Sequence, residues 1–168
     1  MIPEEIVTFL EGATVGFAAT RDARLVPHVH FVTGWIVGDD RKTITCLFSA
    51  NCSKVLMPSL RDNGQFALTV LGSTSGPKAS RPPRPDVDFH ECYQFKGDYA
   101  TSRLANAADA AVVDRKGESF RKLFVPLFGF SEEACASRFK KPALAMTFPV
   151  REIFDQTPGP GAGRRVET

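Results

Sequence analysis

The chain has 168 residues, of which 43% are hydrophobic, and its formal net charge is +2 at pH 7. This length and apolar content predict one domain with a sizeable core, and so small a net charge argues against a nucleic-acid or membrane partner. The sequence has no apolar run long enough to span a bilayer. Its first residues also lack the basic region and apolar run of an export signal, so we expect a cytoplasmic location.

The four cysteines, at positions 46, 52, 92 and 135, form no Cys-x-x-Cys pair. Most of them have apolar or strand-like neighbours, which is typical of buried free thiols rather than of a disulfide framework. This pattern agrees with the expected cytoplasmic location.

The first part of the chain predicts a short helix followed by a meander of strands. Pro3 with two glutamates after it suits a first helical turn, and Gly12 suits the end of the helix. Polar turns at 21–24 and 38–42 are expected to join neighbouring strands as hairpins. The predicted strands are Val15–Thr20, Leu25 to about Val37, and Thr43–Phe48.

A second helix is predicted from about Lys54 to Asn63. Pro58 is comfortable only in the first turn of a helix, so it favours a start nearer Met57 than Ser53. Two further strands are expected from composition, Gln65–Leu71 and Glu91–Thr101.

A proline-rich segment, residues 72–89, separates these two strands and carries Lys78, Arg81 and Arg84. Its prolines exclude helix and sheet, so we expect a long semi-rigid loop. One interpretation is a lid over a binding groove, whose basic residues favour an anionic ligand. The other interpretation is a solvated insertion without a role.

The last part of the chain predicts two helices and a final strand. The first helix is expected from Arg103 to about Phe124, with a break near Lys116-Gly117. Ser131 is expected to cap a shorter helix, and Ala143–Phe154 to form a strand.

These elements define the expected fold class and domain organisation. Residues 157–168 are rich in glycine and proline and are expected to be a flexible tail after a single domain of residues 1–156. The predicted strands follow one another mostly in antiparallel order, with helices inserted between them. We therefore expect a mainly β fold, a small β-barrel with helical decorations, rather than a doubly wound nucleotide fold, whose glycine motifs the sequence lacks.

The segment from Phe48 to Lys54 joins the end of a strand to small polar residues and a lysine. Small side chains let backbone N–H groups approach an anion, hydroxyl groups add donors, and the lysine adds a compensating charge. The same composition is also common in ordinary polar loops. The segment therefore predicts a phosphate cradle, with a plain turn as the alternative.

His28 and His30 lie two residues apart on a predicted strand and hence on the same face. A metal site would need a further ligand, and the nearest candidates, His90, Glu91 and Cys92, lie across the proline-rich segment. We expect no metal, with one histidine hydrogen-bonded to a carbonyl and the other at the rim of the barrel.

The sequence assigns no catalytic residue, because no set of side chains matches a catalytic triad or a carboxylate pair. An oligonucleotide-binding barrel is a structural rival, since such barrels also have few strands. It needs exposed aromatic residues among lysine and arginine, whereas Phe66, Phe95 and Phe148 have apolar neighbours that indicate the core. We therefore expect no nucleic-acid partner.

The order of these features resembles the pyridoxamine 5′-phosphate oxidase-like FMN-binding split barrels. The resemblance covers about Ile6 to Thr101, and order and spacing carry most of it. Its motifs in this sequence are the strand Pro27-His28-Val29-His30-Phe31, a polar segment that ends in Ser53-Lys54, the helix residues Leu60-Arg61-Asp62-Asn63, and the strand Phe66-Ala67-Leu68-Thr69-Val70.

The resemblance implies a six-stranded antiparallel split β-barrel, a homodimer, and FMN in a groove at the subunit interface. The strand around Pro27 to His30 would lie along the isoalloxazine ring, the segment from Phe48 to Ser53 would hold the ribityl chain and the phosphate, and Lys54 would be the phosphate-binding lysine. The cofactor-binding residues that it implies are Pro27, His28, Val29, His30, Phe48, Ser49, Ala50, Asn51, Ser53 and Lys54.

Two departures separate the chain from the pyridoxamine phosphate oxidases proper. Ser53 stands where they have arginine, and the only tryptophan is Trp35, so their terminal arginine- and tryptophan-containing signature is missing. The resemblance then implies an FMN-dependent oxidoreductase of an unassigned small organic substrate, in which the deazaflavin F420 could replace FMN. The alternative is a non-catalytic split barrel that binds flavin, haem or another ligand as a store or sensor, or that has lost its cofactor. A haem protein would depend on His28, His30 or His90.

Overall fold

The computed structural model describes residues 1–12, 14–72, 91–129, 131–139 and 141–167. In these ranges the helices are α1 (Glu4–Glu11), α2 (Ala50–Asn63), α3 (Ala107–Phe128) and α4 (Glu132–Arg138). The strands are β1 (Thr14–Arg21), β2 (Pro27–Val32), β3 (Gly34–Val37), β4 (Thr43–Phe48), β5 (Gln65–Gly72), β6 (Glu91–Asp98), β7 (Thr101–Leu104), β8 (Leu144–Asp155) and β9 (Arg164–Arg165). None of the helices in these ranges is long and apolar enough to cross a membrane.

The strands form one antiparallel sheet that curls into a half-barrel. The order across the sheet is β2-β1-β5-β6-β8-β4-β3, and the short strands β7 and β9 both pair with β8. The fold is therefore mainly β, as predicted.

The strand predicted from Leu25 to Val37 is two strands, β2 and β3, which lie at opposite ends of the sheet order. Between them Thr33 is buried, and its N–H and its Oγ1 donate to the carbonyl of Leu47 at 3.0 and 2.9 Å. β2 pairs with β1, whereas β3 pairs with β4. The prediction of one strand was wrong because composition does not show with which neighbour a residue pairs.

Aromatic side chains fill the inside of the half-barrel. Phe48, Phe95 and Phe148 have no solvent exposure, and Phe66 is 4% exposed. The ring centroids of Phe66 and Phe148 lie 4.8 Å apart, and α1 covers the same cluster with the buried side chain of Phe9. These residues belong to the core, as predicted, so they cannot form the base-stacking face of an oligonucleotide-binding barrel.

The cysteines are free thiols, as expected. Cys46 and Cys135 are buried, and Cys52 and Cys92 are partly buried. Burial raises the pKa of the Cys46 thiol well above its ordinary value, which keeps it protonated and unreactive.

Helix α2 begins earlier than predicted, at Ala50, with Ser49 as its N-cap and Pro58 inside it. The prediction of a start near Met57 was wrong. Pro58 has no N–H, so the carbonyl of Lys54 lacks its usual hydrogen bond within the helix. Both residues are exposed, so water can donate to that carbonyl. The helix ends at Gly64, which has a φ of 69° and donates its N–H to Leu60 O at 2.9 Å.

Helix α3 also differs from the prediction at its start and at the predicted break, and it ends at Phe128 rather than at about Phe124. Arg103 belongs to β7 rather than to the helix, and the helix is continuous through Gly117. A Cβ at Gly117 would lie 3.0 Å from the Cβ of Phe139, so the glycine permits close packing of α3 against the end of α4. The predicted break was wrong because a helical glycine can serve packing as well as helix termination.

Residues near the C-terminus return to the sheet. Strand β9 pairs with the end of β8, and the Val166 N–H donates to Ile153 O at 2.8 Å. Thr157 is 6% exposed. The division into a domain of residues 1–156 and a tail of residues 157–168 stays a prediction, and the tail residues just named have fixed partners in the fold.

The predicted proline-rich loop falls almost entirely on residues 73–90, outside the described ranges.

Candidate functional site

The sequence resemblance implies two cofactor-binding segments, one in β2 and one between β4 and α2. The end of β2 lies next to the junction of β4 and α2. The Cys52 thiol, in the first turn of α2, lies 3.9 Å from the carbonyl oxygen of Phe31 in β2. Thr33, which follows β2, is hydrogen-bonded to Leu47 near the end of β4. The structure therefore brings the strand with His28 and His30 beside the polar segment that ends in Lys54.

The polar segment is the beginning of a helix rather than a turn. Ser49 has extended backbone angles, but its side chain makes no capping hydrogen bond, and the first turn of α2 contains no acidic residue. By contrast, the first turns of α1, α3 and α4 carry acidic residues. Because the first N–H groups of a helix have no partner within it, the start of α2 has a partial positive charge that nearby side chains leave uncompensated.

The side chains at the start of α2 differ in what they can offer a ligand. Ala50, Asn51 and Lys54 are exposed, and among the described residues no carboxylate lies within ion-pair distance of the Lys54 ammonium. The Ser53 hydroxyl donates to Ala50 O at 2.8 Å. Phe48 is fully buried, and its carbonyl accepts the N–H of Ala143 at 2.8 Å, so its side chain supports the fold.

The side chains of β2 alternate between two environments. Pro27 and Val29 are exposed, Val29 to 68%, whereas His28 is partly buried and His30 is only 7% exposed. Both histidines therefore share a face, as predicted, but that face turns inward. The outward face presents Val29 to solvent.

The β1–β2 turn places Asp22 near His28, a proximity that the sequence prediction missed. Asp22 Oδ1 accepts the N–H groups of Arg24 and Val26, both at 2.9 Å, and its Oδ2 lies 3.8 Å from Nε2 of His28. The Val26 N–H contributes most to lowering the pKa of Asp22, and His28 adds to the same direction. An aspartate that binds its own turn is a known sequence signal, but the approach of His28 depends on the register of the hairpin.

His30 lies in the interior with an unsatisfied nitrogen. Its Nε2 and the Oγ1 of Thr20 are buried without a hydrogen-bond partner among the described residues. Burial lowers the pKa of His30, and the nearby His28 lowers it further, so the environment favours the neutral ring. Within the described part of the chain no three His, Cys, Asp or Glu residues lie close enough to hold a metal ion.

The donor set at the start of α2 fits a phosphate group. Unpaired helical N–H groups, the side chains of Ser49 and Asn51, and the Lys54 ammonium all favour an oxyanion, and Lys54 is a point charge on a flexible stem that can follow the phosphate position. The structure brings together the exposed residues of this set and leaves Phe48 and His30 in the interior. The fit is therefore to the phosphate end of a cofactor.

No family model matches the sequence, and no curated protein matches it. Among solved structures, HupZ from Group A Streptococcus is similar, with a TM-score of 0.54 and 19% identity over 97% of this chain and 100% of that chain. HutZ, the haem storage protein from Vibrio cholerae, has a TM-score of 0.48 and 16% identity over 94% of this chain and 97% of that chain. An FMN-binding protein from Syntrophomonas wolfei has a TM-score of 0.45 and 12% identity over 90% of this chain and 80% of that chain. Identities this low concern the fold alone, and the fold agrees with the predicted split barrel.

Proposed function

We propose that this chain, which has the fold of the pyridoxamine 5′-phosphate oxidase-like split barrels, binds FMN and acts as an oxidoreductase on a small organic substrate. The observation that carries the proposal is the start of α2, where the N-cap makes no side-chain hydrogen bond and the first turn has no acidic residue. An anion completes such a helix start. The FMN phosphate is an anion of the right kind, and Lys54 supplies its counter-charge.

The residues at the start of α2 and along β2 have separate roles in this proposal. Ser49, Asn51 and Lys54 would hold the phosphate, while the β2 backbone from Pro27 to His30 would lie along the ring system. Val29, which is 68% exposed, would cover part of the ring and exclude water. When bound, FMN supplies the hydride or electron transfer chemistry, and the protein supplies orientation and a dry environment.

F420 and haem are the other cofactors to consider. F420 also carries a phosphate, so the start of α2 suits it as well. Haem iron needs an accessible imidazole nitrogen, whereas Nε2 of His30 is buried and Nε2 of His28 faces Asp22 at 3.8 Å. His90 lies outside the described residues. Of the two described histidines, His28 is the one with a partly exposed side chain, so haem binding would depend on it.

We also propose that the protein is a homodimer, in line with the resemblance. The outward face of β1 and β2 exposes Phe17 to 39% and Val29 to 68%, and the rings of Phe17 and Phe31 lie 5.9 Å apart. Apolar side chains grouped in this way commonly mark an interface. Light scattering should give about twice the monomer mass of 18.4 kDa, and Phe17→Glu should shift it toward the monomer. A wild-type monomer would contradict the proposal.

The experiment that tests the proposed cofactor is the absorption spectrum of the freshly purified protein, followed by titration of the apo-protein with FMN. We expect flavin bands, and FMN binding at about micromolar concentration or tighter. A protein with a haem spectrum would support the storage alternative. A colourless protein that binds neither FMN nor F420 would contradict the flavin proposal.

Turnover then separates an enzyme from a flavin store or sensor. An oxidoreductase must reduce its flavin with a donor and reoxidise it with a substrate, whereas a store only binds and releases it. A cytoplasmic location is part of the same proposal, and it is supported by the free thiols of all four cysteines.

A further inference from the structure

A cavity of about 510 Å³ lies at the hairpin end of β3, between α1, the β3–β4 turn and α3. This volume is within the range of small-molecule sites. Its apolar wall includes Val7, Leu10, Val37 and Val112. None of its lining residues belongs to the proposed flavin site, so the cavity is a separate feature of the fold.

A buried cation forms part of the cavity wall. Lys116 of α3 is 9% exposed, and its Nζ donates to the carbonyl of Leu10, to Gly12 O at 3.1 Å and to Thr14 Oγ1 at 3.2 Å. The ammonium also lies 4.4 Å from the centroid of the Trp35 ring, and Trp35 Nε1 donates to Leu10 O at 3.0 Å. These contacts, which include three hydrogen-bond acceptors, fix the position of the positive charge. Lys116 therefore contributes charge to the cavity rather than a directional hydrogen bond.

The other charged residues that line the cavity differ in how exposed they are. The carboxylates of Glu11 and Asp39 belong to exposed residues, where water and salt screen their charge. Arg41 is partly buried and forms an ion pair with Glu4. Lys116 is the most buried of the charged residues that line the cavity. Its positive charge therefore makes the inner part of the cavity favour an anion over a cation.

Arg115 supplies the directional group that Lys116 cannot. It lines the cavity one residue before Lys116 on α3 and makes no ion pair with a described residue. Its side chain is exposed, so solvent screens its charge as it screens those of Glu11 and Asp39, and its contribution is directional hydrogen bonding. A guanidinium can bind a carboxylate with two parallel hydrogen bonds. An apolar wall with a guanidinium beside it suits a ligand that has a carboxylate at one end and an apolar body at the other.

We propose that this cavity binds a small organic carboxylate with an apolar body of about the size of one aromatic ring. The carboxylate contacts Arg115 in the field of Lys116, and the body packs against the apolar wall. This site is independent of the proposed flavin site, so its ligand is either a second substrate-sized molecule or an effector.

Trp35 is the only tryptophan of the chain and lines the cavity, so its fluorescence reports binding there directly. We would titrate the protein as purified with phenylacetate, phenylacetamide and 2-phenylethylamine, which share a body and differ in charge. Arg115→Ala is the test variant. Arg121→Ala is the matched control. Arg121 lies on the same helix but does not line the cavity, and it forms an ion pair with Glu132 at 3.9 Å.

Phenylacetate should change the Trp35 emission saturably, and its dissociation constant should be about tenfold lower than that of the amide. Arg115→Ala should remove that preference, whereas Arg121→Ala should keep it, with both variants unfolding at the wild-type temperature. Equal binding of carboxylate and amide, stronger binding of the amine, or a preference that survives Arg115→Ala would each overturn the proposal. So would the absence of saturable binding to about 10 mM, both by fluorescence and by ligand-observed NMR.

Discussion

Helices α3 and α2 begin in opposite ways. At the start of α3, Asn106 Oδ1 accepts the N–H groups of Ala108 and Asp109 at 2.9 and 3.1 Å, and the Asp109 carboxylate accepts the Asn106 N–H at 2.8 Å. Arg103 then donates to both oxygens of the same carboxylate. At the start of α2, Ser49 makes no side-chain capping bond and the first turn has no acidic residue.

The difference separates a helix start that stabilises the fold from one that is available to a ligand. A closed capping box satisfies the N–H groups within the protein and contributes about 1 kcal/mol or more to stability. An open start forgoes that contribution unless an anion completes it. The predictions below test whether α3 behaves as the structural start and α2 as the functional one.

The largest effect on stability is expected from Asp109→Ala. Asp109 is 1% exposed and links the N-cap of α3 to Arg103, so its removal should lower the free energy of unfolding by about 3 kcal/mol. Urea denaturation measures this value. Flavin affinity should not change, and a loss below about 0.5 kcal/mol would show that the capping box is not structural.

The contribution of Asp109 should depend on pH. Its hydrogen bond with Arg103 lowers the pKa of the Asp109 carboxyl in the folded protein. A lowered folded pKa gives stability that is present above the unfolded value near 4 and is lost as the pH falls through the folded value. The stability difference between wild type and Asp109→Ala should therefore shrink below about pH 4. A difference that grows on acidification would contradict this assignment.

Lys54→Ala should act on the ligand instead of the fold. A charge-assisted contact to phosphate contributes about 1.5–3 kcal/mol, so FMN affinity should fall about ten- to a hundredfold. Lys54 is exposed, and stability should change by less than about 0.5 kcal/mol. Lys42→Ala removes the same charge from another exposed position and serves as the control. Equal affinity of the Lys54 and Lys42 variants would remove Lys54 from the site.

The smallest effects compare the two N-cap residues. Asn106→Ala should lower stability by about 1 kcal/mol, because two helical N–H groups lose their acceptor. Ser49→Ala should change stability by no more than a few tenths of that amount, because the Ser49 side chain caps nothing. Thermal unfolding of both variants in the absence of flavin measures the contrast, and similar losses would show that Ser49 caps α2 in solution.

Most elements of the fold could be predicted because their signals are local. Alternation and turn residues located β1, β4 and β5 to within one residue at each end, and Ser131 marked α4. The errors occurred where tertiary contacts override local preference. Thr33 divides the run from Leu25 to Val37 because β2 and β3 pair with different strands, and Gly117 continues α3 because it packs against Phe139.

The candidate site was predictable in composition and not in conformation. Small polar residues followed by Lys54 indicated an anion site, but Pro58 suggested that the helix began later than it does. The contact between His28 and Asp22, 3.8 Å apart, requires the register of the β1–β2 hairpin, which composition does not specify. The burial of His30 likewise depends on tertiary packing, which composition does not specify.

The most direct test of the account is the ratio of the affinities for FMN and riboflavin, which differ only in the phosphate. If the open start of α2 binds the phosphate, the wild-type protein should bind FMN about a hundredfold more tightly, and Lys54→Ala should reduce that ratio to about ten or less. Titration of the apo-protein by flavin fluorescence measures both ratios. Equal affinity of the wild-type protein for FMN and riboflavin would contradict the account.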